Sequence, residues 1–289
     1  VLEDTKNYYN TILTTMKNGD IGRKYLEDRN FDKEFISIFN IGFAPGDNKL
    51  TEYLNISIEN NNQYTQYDIE KANVTIGNSD FFKNRLIFPI MDEEDRVVGF
   101  SGRSIGSEEP KYLNSKDSLI FQKKKVLYNL NRAKKYLNEN TLIMVEGYFD
   151  VLALSKVGIN NVVGLMGTAF TVEHIALLKK YNVKNVILCL DQDEAGQKTT
   201  LKIGEALLKQ KIINLKVVEY NDVKDIDEYI QKHSEINNLL LDARDYFEFK
   251  IDKLQSFYNL NSIDGKEQYI KVASNGIGNY SKQKQEIIK

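Results

Sequence analysis

Cysteine occurs once in these 289 residues and histidine twice, so no structural zinc module can be built from this stretch of chain and no zinc is expected in it. The single thiol, Cys189, lies inside the apolar run Val186-Ile187-Leu188-Cys189-Leu190 and reads as a small core residue rather than a reactive group. His174 and His233 have no second soft ligand at a metal-binding spacing and read as solvent-facing positions on helices. Long hydrophobic runs are absent as well. Nothing approaches a membrane span, and the N-terminus has no succession of charged, apolar and small residues, so the reading is cytoplasmic with no membrane partner. No internal repeat is present. Neither sign of charge dominates: 39 Lys and Arg stand against 41 Asp and Glu, a net charge of −2 that argues weakly against nucleic-acid binding.

That mean hides a patch. Between Ser101 and Lys135 nine Lys or Arg face three acids, a local balance of +6. A solvated helix face accounts for Arg132, Lys134 and Lys135. It accounts poorly for Arg103 and Lys111, each beside glycine or proline in turn-like sequence.

With 42% hydrophobic residues the chain can bury a sizeable core, as one large domain or two to three subdomains. Residues 1 to about 30 predict helices, with Tyr8, Ile12, Leu13 and Met16 at core spacing. The following region is mixed, with short strands such as Arg85–Ile90 and Arg96–Phe100, and the Asn- and Gln-rich stretch Ser57–Tyr67 predicts a surface loop. From residue 141 strands and helices alternate: strands ending at Val145 and spanning Val162–Leu165, Val186–Leu190 and Leu215–Glu219, with helices between them. Short links between these elements imply a parallel sheet with right-handed crossovers, an α/β fold. After Ile230 the pattern predicts a helical subdomain.

Two of those strands run directly into acid. Glu146 follows an apolar strand, and Gly147 lets the backbone turn so that the carboxylate faces open space; a first-turn helix Glu is the competing reading. Asp191 and Asp193 flank Gln192, and carboxylates at i and i+2 in a tight turn converge on one ion or bridge two. Asp225 and Asp227 repeat that spacing downstream, where capping of a helix over Glu228–Lys232 is the competing role. Asp150 either supports the site or caps its helix. Carboxylates gathered at the C-terminal edge of a parallel sheet repel one another unless a cation neutralises them. Hard oxygen donors without His or Cys select Mg²⁺ or Mn²⁺, which points to metal-assisted phosphate chemistry.

The order Val145-Glu146-Gly147, Gly164 to Ala169, Asp191-Gln192-Asp193 and Asp225-Ile226-Asp227 resembles the TOPRIM domain of bacterial primases, topoisomerases and some nucleases. Upstream, Ile41 to Pro45, Phe88-Pro89-Ile90, Val98 to Arg103, Pro110 to Ser115 and Ile120 to Lys123 are similar to the segments preceding TOPRIM in DnaG-type primases, so the resemblance covers most of residues 1–230. It implies a mixed α/β N-terminal subdomain over 1–135, a central Rossmann-like TOPRIM subdomain over 136–232 and a helical subdomain over 233–289. The implied activity is that of a primase core at the bacterial replication fork: ribonucleoside triphosphates joined on single-stranded DNA into a short RNA primer. Two or more Mg²⁺ or Mn²⁺ ions would be held by Glu146, Asp191, Asp193, Asp225 and Asp227, with Glu146, Asp191 and Asp193 catalytic.

Arg85, Arg103 and Lys111 fall at family positions for template or triphosphate, with Arg29 and Lys123 as weaker matches. Tyr112 and Asn114 suit stacking on or bonding to an unpaired base, with core packing an open alternative for Tyr112. Gln192 stands where the family usually has Gly, and Ile226 where it has Pro. Because the chain starts at Val1 and ends in a polar run, it reads as a core whose zinc-binding and helicase-recruiting domains lie elsewhere. Two rival readings differ in what they need. The first is a TOPRIM nuclease or topoisomerase, of which a topoisomerase also needs a tyrosine nucleophile in a separate gate domain; the second is a non-catalytic nucleic-acid-binding or recombination-mediator module, which would not need the full carboxylate set.

Overall fold

The computed structural model, which describes residues 1–61, 64–167, 169–210, 212, 214–220, 222–233 and 236–274, divides into a unit Val1–Val126 and a second that begins at Leu127. In the first, α1 (Leu2–Thr15) turns Tyr9, Ile12 and Leu13 inward at helical spacing. Helices α2 (Asp20–Glu27) and α3 (Lys33–Ile38) follow, the latter capped by Asp32, which accepts from the Phe35 N–H at 2.8 Å. Strand β1 (Gly42–Ala44) leads to α4 (Lys49–Asn61) and α5 (Gln66–Ala72), then to the small hairpin of β2 (Thr75–Ile76) and β3 (Ser79–Asp80). Strands β4 (Arg85–Met91), β5 (Val97–Ser104) and β6 (Tyr112–Asn114) complete an antiparallel sheet ordered β1-β4-β5-β6.

The core of this unit gathers Tyr9, Leu50, Leu54, Phe82, Ile87 and Phe100. A buried acid, Asp80, accepts from three donors: the N–H groups of Leu50 and Thr51 and the Thr51 hydroxyl, at 3.3, 2.9 and 2.8 Å. These bonds fix the start of α4. The loop expected over Ser57–Tyr67 is therefore shorter than its composition suggests. Buried Leu50 and Leu54 anchor α4, which runs on through Asn61, while Thr65 and Asp68 form a capping box that opens α5. Asn62 and Gln63 lie outside the described residues.

The second unit starts earlier than the expected residue 136. Leu127, Leu130 and Ala133, at or within α6 (Leu130–Ala133), are buried with Met144, Val163 and Leu188, and Tyr128 exchanges backbone hydrogen bonds with Gly164 at 3.0 and 3.1 Å. The alternation then follows: β7 (Thr141–Val145), α7 (Tyr148–Lys156), β8 (Val162–Gly164), α8 (Val172–Lys180), β9 (Asn185–Leu188), α9 (Glu194–Lys209), β10 (Asn214–Val217) and α10 (Ile226–Lys232). With β11 (Arg244–Asp245), sheet order is β11-β10-β9-β7-β8, and β8, β7, β9 and β10 are parallel. All four parallel strands thus end on one edge, where an open α/β sheet places its chemistry.

The C-terminal helices α11 (Ile236–Leu241), α12 (Tyr246–Phe257) and α13 (Ile263–Ala273) match the helical pattern, but they are not set apart at residue 233. Between them β11 (Arg244–Asp245) joins the sheet edge antiparallel to β10, and Tyr246 and Phe249 enter the same core. Gly204 makes that contact possible: a Cβ there would lie 2.0 Å from the Tyr246 ring. Residues 275–289 lie outside the described residues. Among the described residues no helix is long and apolar enough to cross a membrane.

Candidate metal centre and nucleic-acid interface

Each acid at the sheet edge is presented by a loop built for it. Val145 ends β7, and the Gly147 N–H donates to Asp150 Oδ2 at 2.8 Å, so a buried carboxyl in the first turn of α7 pins the turn that carries Glu146. Asp193 is the N-cap of α9, its Oδ1 accepting from the Gly196 N–H at 2.9 Å; Asp225 is the N-cap of α10 in the same way, through the Glu228 N–H at 2.9 Å. Each capping acid keeps a second carboxylate oxygen. The capping role weighed for Asp225 is thus realised in the structure, whereas Asp227 lies buried inside α10 and accepts from the Gln231 side chain at 3.0 Å. Gly196 allows α9 to start close over the acidic loop, since a Cβ there would meet the Asp191 carbonyl oxygen at 2.1 Å. Thr168, in the segment between the first two acidic motifs, lies outside the described residues.

Gln192 does more than separate two acids. Its side-chain amide donates to the carbonyls of Leu190 and Val218 at 2.9 and 3.4 Å, and its backbone N–H donates to the Lys224 carbonyl at 2.9 Å. The Asp191–Asp193 loop is thereby laced to the segment leading into Asp225.

These acids share one electrostatic field. Asp191 is pushed up to about 7, first by burial and then by Glu146 and Asp225, with Lys224 opposing. Glu146 is raised by burial, held back by a hydrogen bond from the Asp191 backbone, raised by Asp193 and lowered by Lys224. Asp150 is pushed up to about 8, by burial foremost and then by Asp225 and Asp191. Glu146 Oε1 is buried and has no hydrogen-bond partner, a lone-pair donor facing a site of negative potential. An orphaned oxygen among carboxylates is what a hard cation site offers, so the donor set fits a divalent ion. The side chains as placed do not converge, however: among the described residues no three His, Cys, Asp or Glu groups gather closely enough to hold an ion. The ammonium of Lys224 sits there instead, 3.7 Å from Asp191 Oδ2 and 3.8 Å from Asp193 Oδ2.

The basic candidates all fall in the first unit and sort by what their heads touch. Arg85 is buried and bonds the carbonyls of Gly102 and Pro110 at 3.0 and 2.8 Å, so its guanidinium clamps the β5–β6 turn. Arg103 bonds the Tyr112 hydroxyl at 2.8 Å and lies over two rings, Tyr112 at 5.3 Å and Tyr25 at 5.5 Å. Arg29 lies over the same Tyr25 ring at 5.2 Å. Tyr112 is therefore neither pure core nor a bare stacking platform, and is half-buried like Asn114. Lys111 is exposed. Lys123 is half-buried, and burial lowers its pKa although Asp117 opposes this.

Sequence reasoning missed Lys224 and Tyr25. The only signal for Lys224 was a cation immediately before Asp225 in the sequence; Tyr25 carried no signal, because its contact with Arg103 crosses from α2 to β5. His174 departs from the solvent-facing expectation: it is fully buried, its Nδ1 accepts the Thr171 N–H at 3.2 Å, and its ring packs on Phe170. His233 is exposed as expected and pairs with Asp222 at 2.7 Å.

Residues 8–134 match the family described as DNA primase catalytic core, N-terminal domain, and residues 143–230 match the Toprim-like family. The chain is 37% identical over 271 residues to a DNA primase of Staphylococcus epidermidis, a match covering 89% of this chain and 44% of that protein. It thus spans less than half the length of the curated relatives it matches. Among solved structures, the Escherichia coli primase catalytic core is similar with a TM-score of 0.82 at 30% identity, over 99% of this chain and 93% of that one. A DnaG primase catalytic domain bound to single-stranded DNA is similar with a TM-score of 0.81 at 30% identity, over 99% and 94% of the two chains.

Proposed function

This chain belongs to the DnaG family of DNA primases, and on that premise we propose that it is the RNA polymerase core of such an enzyme, joining ribonucleoside triphosphates on single-stranded DNA into RNA primers in the bacterial cytoplasm. The observation that carries the proposal within this molecule is the unpartnered, buried Glu146 Oε1 beside Asp191, whose carboxyl is pushed up to about 7, at the C-terminal edge of the parallel sheet. Glu146, Asp191 and Asp193 are proposed to hold Mg²⁺ or Mn²⁺, with Asp225 and Asp227 completing the set. Such ions, when bound, activate the primer 3′-hydroxyl and stabilise charge on the α-phosphate and leaving group.

The remaining roles belong to the chain's own groups. Glu146, whose proton affinity burial raises from its ordinary value, is proposed to take up or guide the hydroxyl proton. The caps at Asp193 and Asp225 fix those carboxylates to rigid helix starts, so little reorganisation precedes reaction. Arg103 and Lys111 are proposed to grip phosphates of template or nucleotide, assisted by Arg29 and Lys123, while Arg85 shapes the turn that presents Lys111. Asn114 and Tyr112 are proposed to meet an unpaired base. A replicative helicase is the proposed partner of the longer protein. The test is incorporation of labelled ribonucleotide on single-stranded DNA with Mg²⁺ or Mn²⁺; nicking of the template, or strand binding without synthesis, would replace this proposal with a nuclease or a mediator.

Lys111→Ala is expected to weaken binding of single-stranded DNA and lower the salt slope by about one unit without changing thermal stability, because its side chain is exposed. Arg103→Ala is expected to weaken binding further and to lower the melting temperature too, because it removes contacts to two tyrosine rings. Titrations at several salt concentrations check both. An unchanged affinity and slope for the two variants returns these residues to a purely structural role.

A further inference from the structure

Lys224 belongs to none of the motifs that define the site, yet it is held within it. Its carbonyl accepts from the Gln192 N–H at 2.9 Å, between the two acids of the loop, and its own N–H donates to Glu228 Oε2 at 3.2 Å. The backbone is thus fixed on both sides, and the four-carbon stem delivers an ammonium 3.7 Å from Asp191 Oδ2 and 3.8 Å from Asp193 Oδ2. The same charge acts on Glu146 and Asp191, lowering the proton affinity of each against the other acids. With that ammonium in place, no three acidic side chains among the described residues converge on a point.

Resting on the proposed metal role of these acids, we infer that Lys224 is a tethered counter-ion of the Asp191 and Asp193 carboxylates, which a divalent ion must displace in order to bind. The physical reason is competition for the same oxygens. An ammonium is a compact, strongly hydrated point charge that neutralises a carboxylate pair without coordinating it, so it satisfies the charge but not the directional donors. A metal ion arriving at Oδ2 of either Asp meets a like charge within 3.8 Å of that oxygen, and the ammonium must swing into solvent. The work of displacement is subtracted from metal affinity, and in the metal-free protein the same contact relieves repulsion among the acids. The effect is bounded, because the Lys224 side chain is 60% exposed and pairs of that kind are weak and salt-screened.

The experiment measures Mn²⁺ affinity by electron paramagnetic resonance of the free ion, at low and high NaCl, for the wild type, Lys224→Gln and Asp191→Asn. Thermal melts in chelator accompany it. Lys224→Gln is expected to bind Mn²⁺ about three- to tenfold more tightly than wild type at low salt, with the gap narrowing at high salt. Its metal-free melting temperature is expected to fall. The lysine is largely exposed, so the variant folds, which the melts verify. Equal or weaker Mn²⁺ binding by Lys224→Gln, with Asp191→Asn still losing binding, overturns the inference and leaves the metal reading intact. Unchanged Mn²⁺ binding by Asp191→Asn removes the metal reading, and the inference with it.

Discussion

Asp191→Ala and Glu146→Ala are each expected to abolish primer synthesis, with incorporation of labelled ribonucleotide falling on the order of a hundredfold or more while the fold is retained. The two acids sit beyond the ends of β9 and β7 and contribute no apolar area to the core, so their loss empties the site without opening a cavity. The stability of the metal-free protein is expected to move the other way for Asp191. Its carboxyl is pushed up to about 7 by burial and by neighbouring acids, so ionising it at neutral pH works against folding. Asp191→Ala removes that charge and is expected to melt at or above the wild-type temperature in chelator at pH 8. Glu146→Ala removes a buried oxygen that has no partner, but it also takes the acceptor from the Asp191 backbone N–H, so its melting temperature is expected to fall slightly or stay unchanged. Near-normal incorporation by either variant would sink the assignment of these acids to the reaction. A lower melting temperature for both, in parallel with lost activity, would make them structural.

Much of this architecture was legible because its signals are local. Apolar runs of four or five residues mark the strands of a parallel sheet, two of them running directly into an acid, and β7, β8 and β9 lie within two residues of where those runs place them. What the pattern could not carry was contact between distant segments. The unit boundary moves to Leu127 because Tyr128 pairs with Gly164, 36 residues on, and no composition shift marks that pairing. His174 reads as polar in sequence but is buried, since the ring nitrogen is satisfied by the N-cap of its own helix. The same limit applies at the site. Glu146, Asp191, Asp193 and Asp225 are legible as a set by spacing. The lacing of Gln192 to Lys224, and the ammonium held over two aspartates, depend on how the ends of β9 and β10 lie side by side.

Asp150 separates the two things a buried carboxyl does here, holding a turn and carrying a charge. Its Oδ2 accepts from the Gly147 N–H at 2.8 Å, and its carboxyl is pushed from 3.8 up to about 8 by burial first and then by Asp225, Asp191 and Asp227. The folded state therefore binds this proton more tightly than the unfolded state. Stability from that proton is fully present below the unfolded pKa of 3.8 and is lost as pH rises through about 8. Metal-free melts are expected to show stability declining across that window, with Asp191 adding to the same trend up to about 7. Asp150→Asn keeps an acceptor for Gly147 and deletes the charge. It is expected to flatten the decline, to equal or exceed wild type at pH 8 and to retain primer synthesis. Asp150→Ala leaves the Gly147 N–H without its partner, which costs about 1–3 kcal/mol relative to the Asn variant, and it frees the turn that aims Glu146. Primer synthesis is expected to fall in the Ala variant and not in the Asn variant. An Asn variant whose stability follows the wild-type pH curve would show that Asp150 does not carry this titration, and equal activity of the two variants would show that the turn does not need its hydrogen bond.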